Sequence, residues 1–417
     1  MTPPKPFAAP LHDGTLGALA QGYAWLPDRM RSVDGAVYRT RLLGRPAIAV
    51  RGPEAVRFFY DEGHVVRKEA LPGPVLDTLF GHGAVQSLDG EAHRAREVLF
   101  PALLKDERGI ADLDAHVRRR WREAAAAAAR HGDPVVLFDE VAQVLALAVR
   151  DWAGLPLSDA ETGELARDCT AMVDGFATPG LRHLRARRAR TRQETALGAL
   201  VDAVREEPPP AVGRPTVLEE VARHRDPDGT LLDPHTAVVE LLNIVRPTIA
   251  IAWFVTFAAH ALHRWPHHRG LLRADPTGVH AVAFAHEVRR FYPFAPFVGG
   301  LAARDLTWQG ERIEEGAMVL LDLYGQNHDP DLWDHPYRFD PHRFAGAHRP
   351  PDRLVPQRGG DPALGHRCPG EDITVTLLAT LVGELARLEY AVPDQDLTIP
   401  LSRVPTLPRS GLVLRLP

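Results

Sequence analysis

Cysteine is nearly missing from this chain: Cys169 and Cys368 are the only two in 417 residues, and they lie far apart. A disulfide framework is therefore excluded, and a reducing, cytoplasmic compartment is the expectation. Lysine is almost as scarce, with Lys5, Lys68 and Lys105 among 49 basic residues. The opening Met1-Thr2-Pro3-Pro4-Lys5-Pro6-Phe7 has no apolar stretch of the kind a secretory signal requires. The longest apolar run, Pro247 to Ala259, is too short to cross a bilayer and follows directly on Arg246. No G-x-G-x-x-G or Walker pattern occurs, so nothing marks a phosphate-binding βαβ unit. The net charge of −5 provides no general attraction to nucleic acid.

What remains is ordinary globular composition, 45% hydrophobic and 25% charged, enough for a large core. Periodicity predicts helices over residues 16–31, 54–60, 113–131, 138–153, 281–291 and 371–389, and a long one from 233 to about 265. Strands are expected at 36–43 and 47–50, paired as a hairpin around Gly44-Arg45-Pro46, and at 301–308 and 318–322. Residues 398–416 read as a second hairpin whose loop, Arg403 to Pro408, reaches toward a pocket. The fold class is mainly α with a small β region, in a single domain spanning residues 1–417. A helix carrying Arg182, Arg185, Arg187, Arg188, Arg190 and Arg192 lacks interleaved aromatics and reads as a solvated face, not a nucleic-acid surface. Residues 206–215 are proline-rich and linker-like.

Two places carry chemistry. The first is Leu364-Gly365-His366-Arg367-Cys368-Pro369-Gly370-Glu371, a tight loop feeding a helix. A thiol placed just before a helix N-terminus is favoured as thiolate. Three readings fit it: an inert buried cysteine, a zinc ligand with His366, or the axial ligand of a haem iron with His366 and Arg367 as flanking cations. The second is Arg246-Pro247, set inside an apolar helix launched by the N-cap Asp233 and by Pro234. Pro247 cannot donate to the carbonyl of Asn243, so a kink is expected there. A guanidinium in an apolar run needs a carboxylate, supplied either by an Asp or Glu of the protein or by a ligand.

The order of Glu287 and Arg290, then Pro341-His342-Arg343-Phe344, then Gly365-His366-Arg367-Cys368-Pro369-Gly370 resembles the cytochrome P-450 superfamily over nearly the whole chain. Asn243-Ile244-Val245-Arg246-Pro247, Tyr292-Pro293-Phe294 and Leu321-Asp322-Leu323-Tyr324-Gly325-Gln326-Asn327-His328-Asp329 are similar to its bacterial fatty-acid peroxygenase branch. The chain departs from the general pattern too. Asp361, Leu364 and His366 stand where the superfamily has Phe, Gly and Arg before the cysteine, and Arg246-Pro247 replace the usual acid and threonine.

The resemblance implies haem b held by Cys368, with Arg67, His93, Arg96 and His366 as candidates for its propionates. It implies Arg246, Pro247 and Gln86 as catalytic residues and a fatty-acid channel lined by Phe80, Gln86, Phe176, Phe294 and Ala295. The implied reaction is hydroxylation of a long-chain fatty acid at Cα or Cβ by hydrogen peroxide, with no redox partner. The substrate carboxylate, paired with Arg246, supplies the general acid-base function. Gln86 favours hydroxylation over the branch's alternative, decarboxylation to a terminal alkene. A partner-dependent monooxygenase and a non-catalytic haem-thiolate sensor are the other readings.

Overall fold

The computed structural model describes residues 12–33, 37–176, 178–208, 213–226, 228–346, 352–357, 359–360 and 367–417. His366, Asp361 and Leu364, and residues 209–212 of the proline-rich stretch, lie outside them.

Two consecutive helices, Pro234–Ile249 and Ile251–Arg264, run through the centre of the main apolar core. Read as one 31-residue segment they have the length and composition of a membrane span, yet 94% of the most apolar window is buried inside the protein. Burial all round explains why the sequence is apolar all round. Helices Leu137–Ala153, Asp159–Gly175, Leu181–Glu206, Val279–Phe291 and Glu371–Arg387 pack in the same core.

The helix does not break at Pro247, where a kink is expected, but three residues later, at Ala250. Proline removes one donor, but the next turn is held: Ala250 N–H donates to the Arg246 carbonyl at 2.9 Å and the Thr248 hydroxyl to that of Ile244 at 2.9 Å. Helical geometry therefore persists through the substitution and gives way where Ala250 closes the first helix.

The β region is a five-stranded sheet in the order Val37–Leu42, Arg45–Val50, Met318–Asp322, Phe297–Ala302, Val65–Val66. The first hairpin turns at Leu43-Gly44, both at positive φ (51° and 77°), so Pro46 belongs to the strand and not to the turn. The single strand expected over 301–308 is two. Phe297–Ala302 stays in the main sheet, and Leu306–Trp308 pairs separately with Glu311–Ile313 after Asp305 accepts from Glu315 N–H at 3.0 Å.

The expected helix over 16–31 is also divided, into Thr15–Gln21 and Trp25–Arg31 with a 3-10 turn between them. Gly22 adopts φ 56°, and a Cβ there would meet the Leu401 carbonyl at 2.4 Å, so the chain bends where only glycine fits. The C-terminal hairpin does not form as expected. Only Val413–Leu414 is a strand, paired with Val135–Val136, because Pro400, Pro405 and Pro408 cannot donate to a ladder. Residues 398–409 make a loop instead, closed at its neck by Arg409 N–H to the Thr398 carbonyl at 3.1 Å, with Thr406 fully buried.

Candidate functional site

Cys368 stands three residues ahead of the Glu371–Arg387 helix, half-buried, and its carbonyl accepts from Glu371 N–H at 3.3 Å. Its sulfur is 4.0 Å from Gln357 Nε2, which also donates to Thr374 Oγ1 at 3.0 Å. The Gln357 carbonyl oxygen in turn accepts from Arg289 Nε at 3.0 Å. Glu371 is clamped between Arg289 and Arg367, whose Nε lies at 2.6 Å. Although burial acts against ionisation, the two guanidiniums together bring the Glu371 carboxyl down to about 2. The helix start under the cysteine is thus fixed by ion pairs, and its N–H groups present positive charge to the sulfur.

The sign of that shift sets a pH dependence. A carboxylate whose folded pKa is depressed contributes stability that is complete above its unfolded pKa and lost as pH falls through the folded one. Glu371→Gln is expected to lower unfolding stability by about 2 kcal/mol at pH 7 and by almost nothing near pH 2, measured by denaturant unfolding of the haem-loaded protein. An equal loss at both pH values would contradict this assignment.

Behind the cysteine lies a second buried cluster. Arg290 grips Glu287 bidentately, Nε to Oε2 at 2.8 Å and Nη2 to Oε1 at 2.7 Å, with both side chains fully buried. Asp340 N–H donates to Glu287 Oε1 at 2.8 Å, Arg343 Nε approaches it at 3.7 Å, and Arg290 Nη1 reaches the carbonyls of Asn327 and Pro336. Glu287, Arg290 and Arg343, which carry part of the resemblance, therefore form one cluster. Every charge in it is answered, and removing either central partner would cost about 3–5 kcal/mol.

On the Pro234–Ile249 helix, Pro247 is the one exposed residue between Ala237 and Ala259. Immediately before Pro247, the buried Arg246 donates from Nη2 to Asn243 Oδ1 at 3.1 Å and lies 6.0 Å from the Phe80 ring centroid. Asn243 Nδ2 donates to the Phe80 carbonyl at 3.0 Å and approaches Gln86 Oε1 at 3.4 Å. Arg246, Gln86 and Phe80, singled out separately in the sequence, are thereby gathered around one asparagine.

Glu240 was not singled out, although an acid in the same apolar run carries the same signal as Arg246. Fully buried, it accepts from Val85 N–H at 2.9 Å, Arg96 Nη1 at 3.2 Å and Asn243 Nδ2 at 3.3 Å. Burial pushes its carboxyl up to about 7, against the pull of Arg96. The buried carboxylate beside Asn243 is thus engaged by Arg96.

The remaining candidates are placed as follows. Arg67 is buried, stacked 4.6 Å from the Phe59 ring centroid, with its backbone N–H on Asp89. His93 is buried with Nε2 at 3.6 Å from Glu97, and burial lowers its pKa. Arg96 is directed at Glu240 and Asp226. Phe176 closes the Asp159–Gly175 helix, and Phe294 stacks on Phe254 at 4.3 Å while its carbonyl accepts from the Tyr23 hydroxyl. Ala295 packs against the core under the sheet.

The arginine-rich helix is not a uniformly solvated face. Arg190 is buried and donates to the carbonyls of Leu79 at 2.9 Å and Phe80 at 3.3 Å, bracing the segment that carries Phe80.

These residues fit a haem. A half-buried thiol at a helix start, an exposed proline on a buried helix, and the buried Arg67 guanidinium and His93 imidazole suit one metal, one flat apolar face and two carboxylates. They do not suit zinc: among the described residues, no group of three or more His, Cys, Asp or Glu side chains converges.

Comparison with known proteins agrees. A family model for cytochrome P450 matches residues 281–376. The chain is 38% identical to cytochrome P450SP alpha (CYP152B1), with a TM-score of 0.92 over 97% of this chain and 98% of that one. It is 36% identical to cytochrome P450EX alpha (CYP152N1) bound to myristic acid, with a TM-score of 0.91 over 100% of this chain and 98% of the other. A relative at greater distance, abscisic acid 8'-hydroxylase 2 of Oryza sativa subsp. indica, is 25% identical over 92% of this chain and 79% of its own length.

Proposed function

The chain belongs to the cytochrome P450 family, and from that premise we propose that it is a haem-thiolate peroxygenase that uses hydrogen peroxide to hydroxylate long-chain fatty acids at Cα or Cβ. Myristic acid is bound by P450EX alpha, and arachidonic acid by a variant of cytochrome P450 OleT that is 34% identical to this chain. The observation that carries the reading is a buried guanidinium beside Pro247, the one exposed residue between Ala237 and Ala259.

Cys368 would hold the haem iron, and Arg67, His93, Arg96 and His366 are the residues proposed for its propionates. Bound haem supplies the oxidising centre at which a C–H bond is oxygenated. The protein's own part is to place the substrate. Arg246 offers a planar fork of donors to the fatty-acid carboxylate, and Asn243 holds that fork from below. Phe80, Phe176, Phe294 and Ala295 cover the chain and exclude water. With its head held beside Pro247, the substrate has Cα and Cβ as its nearest carbons, which is a positioning effect.

Activation of peroxide requires a group that takes a proton from one oxygen and returns it to the other. No acid replaces the missing acid-threonine pair at Arg246-Pro247. The carboxylate oxygen held by Arg246 performs this transfer. A reductase or ferredoxin then has no step to serve. Gln86, whose Oε1 accepts from Asn243 Nδ2 at 3.4 Å, is the neutral group proposed to stand beside the same carboxylate. With only two cysteines, far apart in the sequence, the cytoplasm is the proposed location.

The test is product analysis by mass spectrometry after mixing haem-loaded protein, myristic acid and hydrogen peroxide without reductase. Hydroxy acid at Cα or Cβ is expected. Terminal alkene as the main product would overturn the hydroxylase assignment, and turnover only with ferredoxin and reductase would overturn the peroxygenase assignment.

A further inference from the structure

The Thr15–Gln21 helix is inverted relative to a normal surface helix. It carries no charged residue, its one glycine packs on Trp25, and its two leucines face out. Gly17 lies so close to Trp25 that a Cβ would sit 3.0 Å from the indole nitrogen, whereas Leu16 is 79% exposed and Leu19 46%. Burying a leucine side chain is favourable, so a helix that hides glycine and shows leucine is built to have something on its outer face.

That face continues across neighbouring elements. The helix start is tied to the first hairpin: Asp13 accepts from Gly44 N–H at 2.6 Å and Thr15 Oγ1 from Leu43 N–H at 2.7 Å, which brings up the exposed Leu43. Its end is tied to the C-terminal loop by Tyr23 N–H to the Leu401 carbonyl at 2.9 Å, and Leu401 is exposed. Two residues on, Arg403 shares Asp174 with Arg182, the second residue of the arginine-rich helix. That helix opens with Leu181, 85% exposed, and Leu184. Six of the twelve exposed large apolar side chains among the described residues thus stand on four consecutively bonded elements, and scattered exposure would not arrange them so.

The charges on this side are basic although the whole chain carries −5. Arg45, Arg185 and Arg188 are exposed and make no ion pair among the described residues. Acids close by are committed within the protein: Asp13 to the hairpin turn, Asp28 to Arg31 and Asp174 to Arg182 and Arg403. Exposed leucines ringed by uncommitted arginines match one partner, a bilayer surface containing anionic lipid, with leucines entering the headgroup region and arginines meeting phosphate.

We infer that this face docks the enzyme reversibly on anionic membranes. The location gives docking a purpose. Leu181 follows the channel candidate Phe176 by five residues, and Arg190 of the same helix holds the Phe80 carbonyl, so the docked face borders the proposed fatty-acid channel. A long-chain acid that partitions into the bilayer would then enter without crossing water.

The experiment is co-sedimentation of the haem-loaded protein with vesicles of phosphatidylcholine alone or with about 30% phosphatidylglycerol. Binding is expected to the anionic vesicles, weakening steeply as salt rises from about 0.1 to 1 M. Leu16→Asp/Leu181→Asp and, separately, Arg185→Glu/Arg188→Glu are expected to weaken binding at least about tenfold. Neither pair is expected to change peroxide-driven turnover of dispersed myristate. Because sedimentation reads binding and not turnover, its result stands apart from that of the peroxygenase assay. No preference for anionic vesicles, or variants that bind as tightly as the parent, would overturn the inference. So would concentration-dependent dimerisation abolished by the same substitutions in protein that ignores vesicles, which would make a second copy the occupant.

Discussion

Arg246→Ala is expected to keep the haem spectrum of the parent and to lose peroxide-driven turnover of myristic acid by about 10²–10⁴-fold, the usual range for removing a general acid-base group. The size follows from the double use of one contact. The guanidinium binds the carboxylate, and the bound carboxylate carries the proton that peroxide must give up and receive. Removing Arg246 therefore removes both a substrate anchor and a proton carrier. Asn243, which orients Arg246, remains held by the Phe80 carbonyl and Glu240, so the pocket wall keeps its shape. Arg246→Lys retains the charge but not the fork, and is expected to fall between alanine and the parent. Full peroxide activity in Arg246→Ala, measured as hydroxy acid formed per haem, would remove the mechanism.

Cys368→Ser is expected to abolish turnover, by at least about 10³-fold, and to eliminate the thiolate signature of the ferrous carbon-monoxide spectrum, because an alcohol oxygen cannot donate electron density as a thiolate does. The fold around it is expected to survive. Glu371 stays clamped by Arg289 and Arg367, and Gln357 keeps its bond to Thr374, none of which depends on sulfur. Thermal unfolding of the variant close to that of the parent, together with the altered spectrum, would separate loss of the ligand from loss of structure. An unchanged carbon-monoxide spectrum would contradict the assignment of Cys368, since the other cysteine, Cys169, is buried in the main core with its thiol pushed up to about 12 by burial.

How much of this could be read from the sequence depends on the range of the interaction involved. Helix periodicity placed the central helix, the Val279–Phe291 helix and the helix after Cys368 within a few residues. Glu287 and Arg290 were recognisable because three residues separate them on one helical face. Breaks were less legible. Gly22 bends the chain only because Leu401 lies against it, nearly four hundred residues away in sequence, and no local pattern records that contact. The C-terminal loop was mistaken for a hairpin although its prolines argued against a ladder.

At the site, Arg246 and Pro247 stood out as violations of an apolar run, and Gln86 and Phe80 came from resemblance alone. Glu240 carried the same local signal as Arg246 and was overlooked. Its part in holding Val85, Arg96 and Asn243 together joins three separate segments and is visible only once they are folded. Arg190, read as one charge in a solvated run, turns inward to the carbonyls of Leu79 and Phe80 for the same reason.

The most direct measurement of the central claim compares myristic acid with its methyl ester under identical peroxide conditions, each at a concentration shown spectroscopically to fill the site. The two differ only in whether the head group can pair with Arg246 and exchange a proton. Hydroxylated product from the acid and essentially none from the ester is the result the account predicts. Comparable product from the ester would show that the substrate carboxylate does not perform the proton transfer assigned to it.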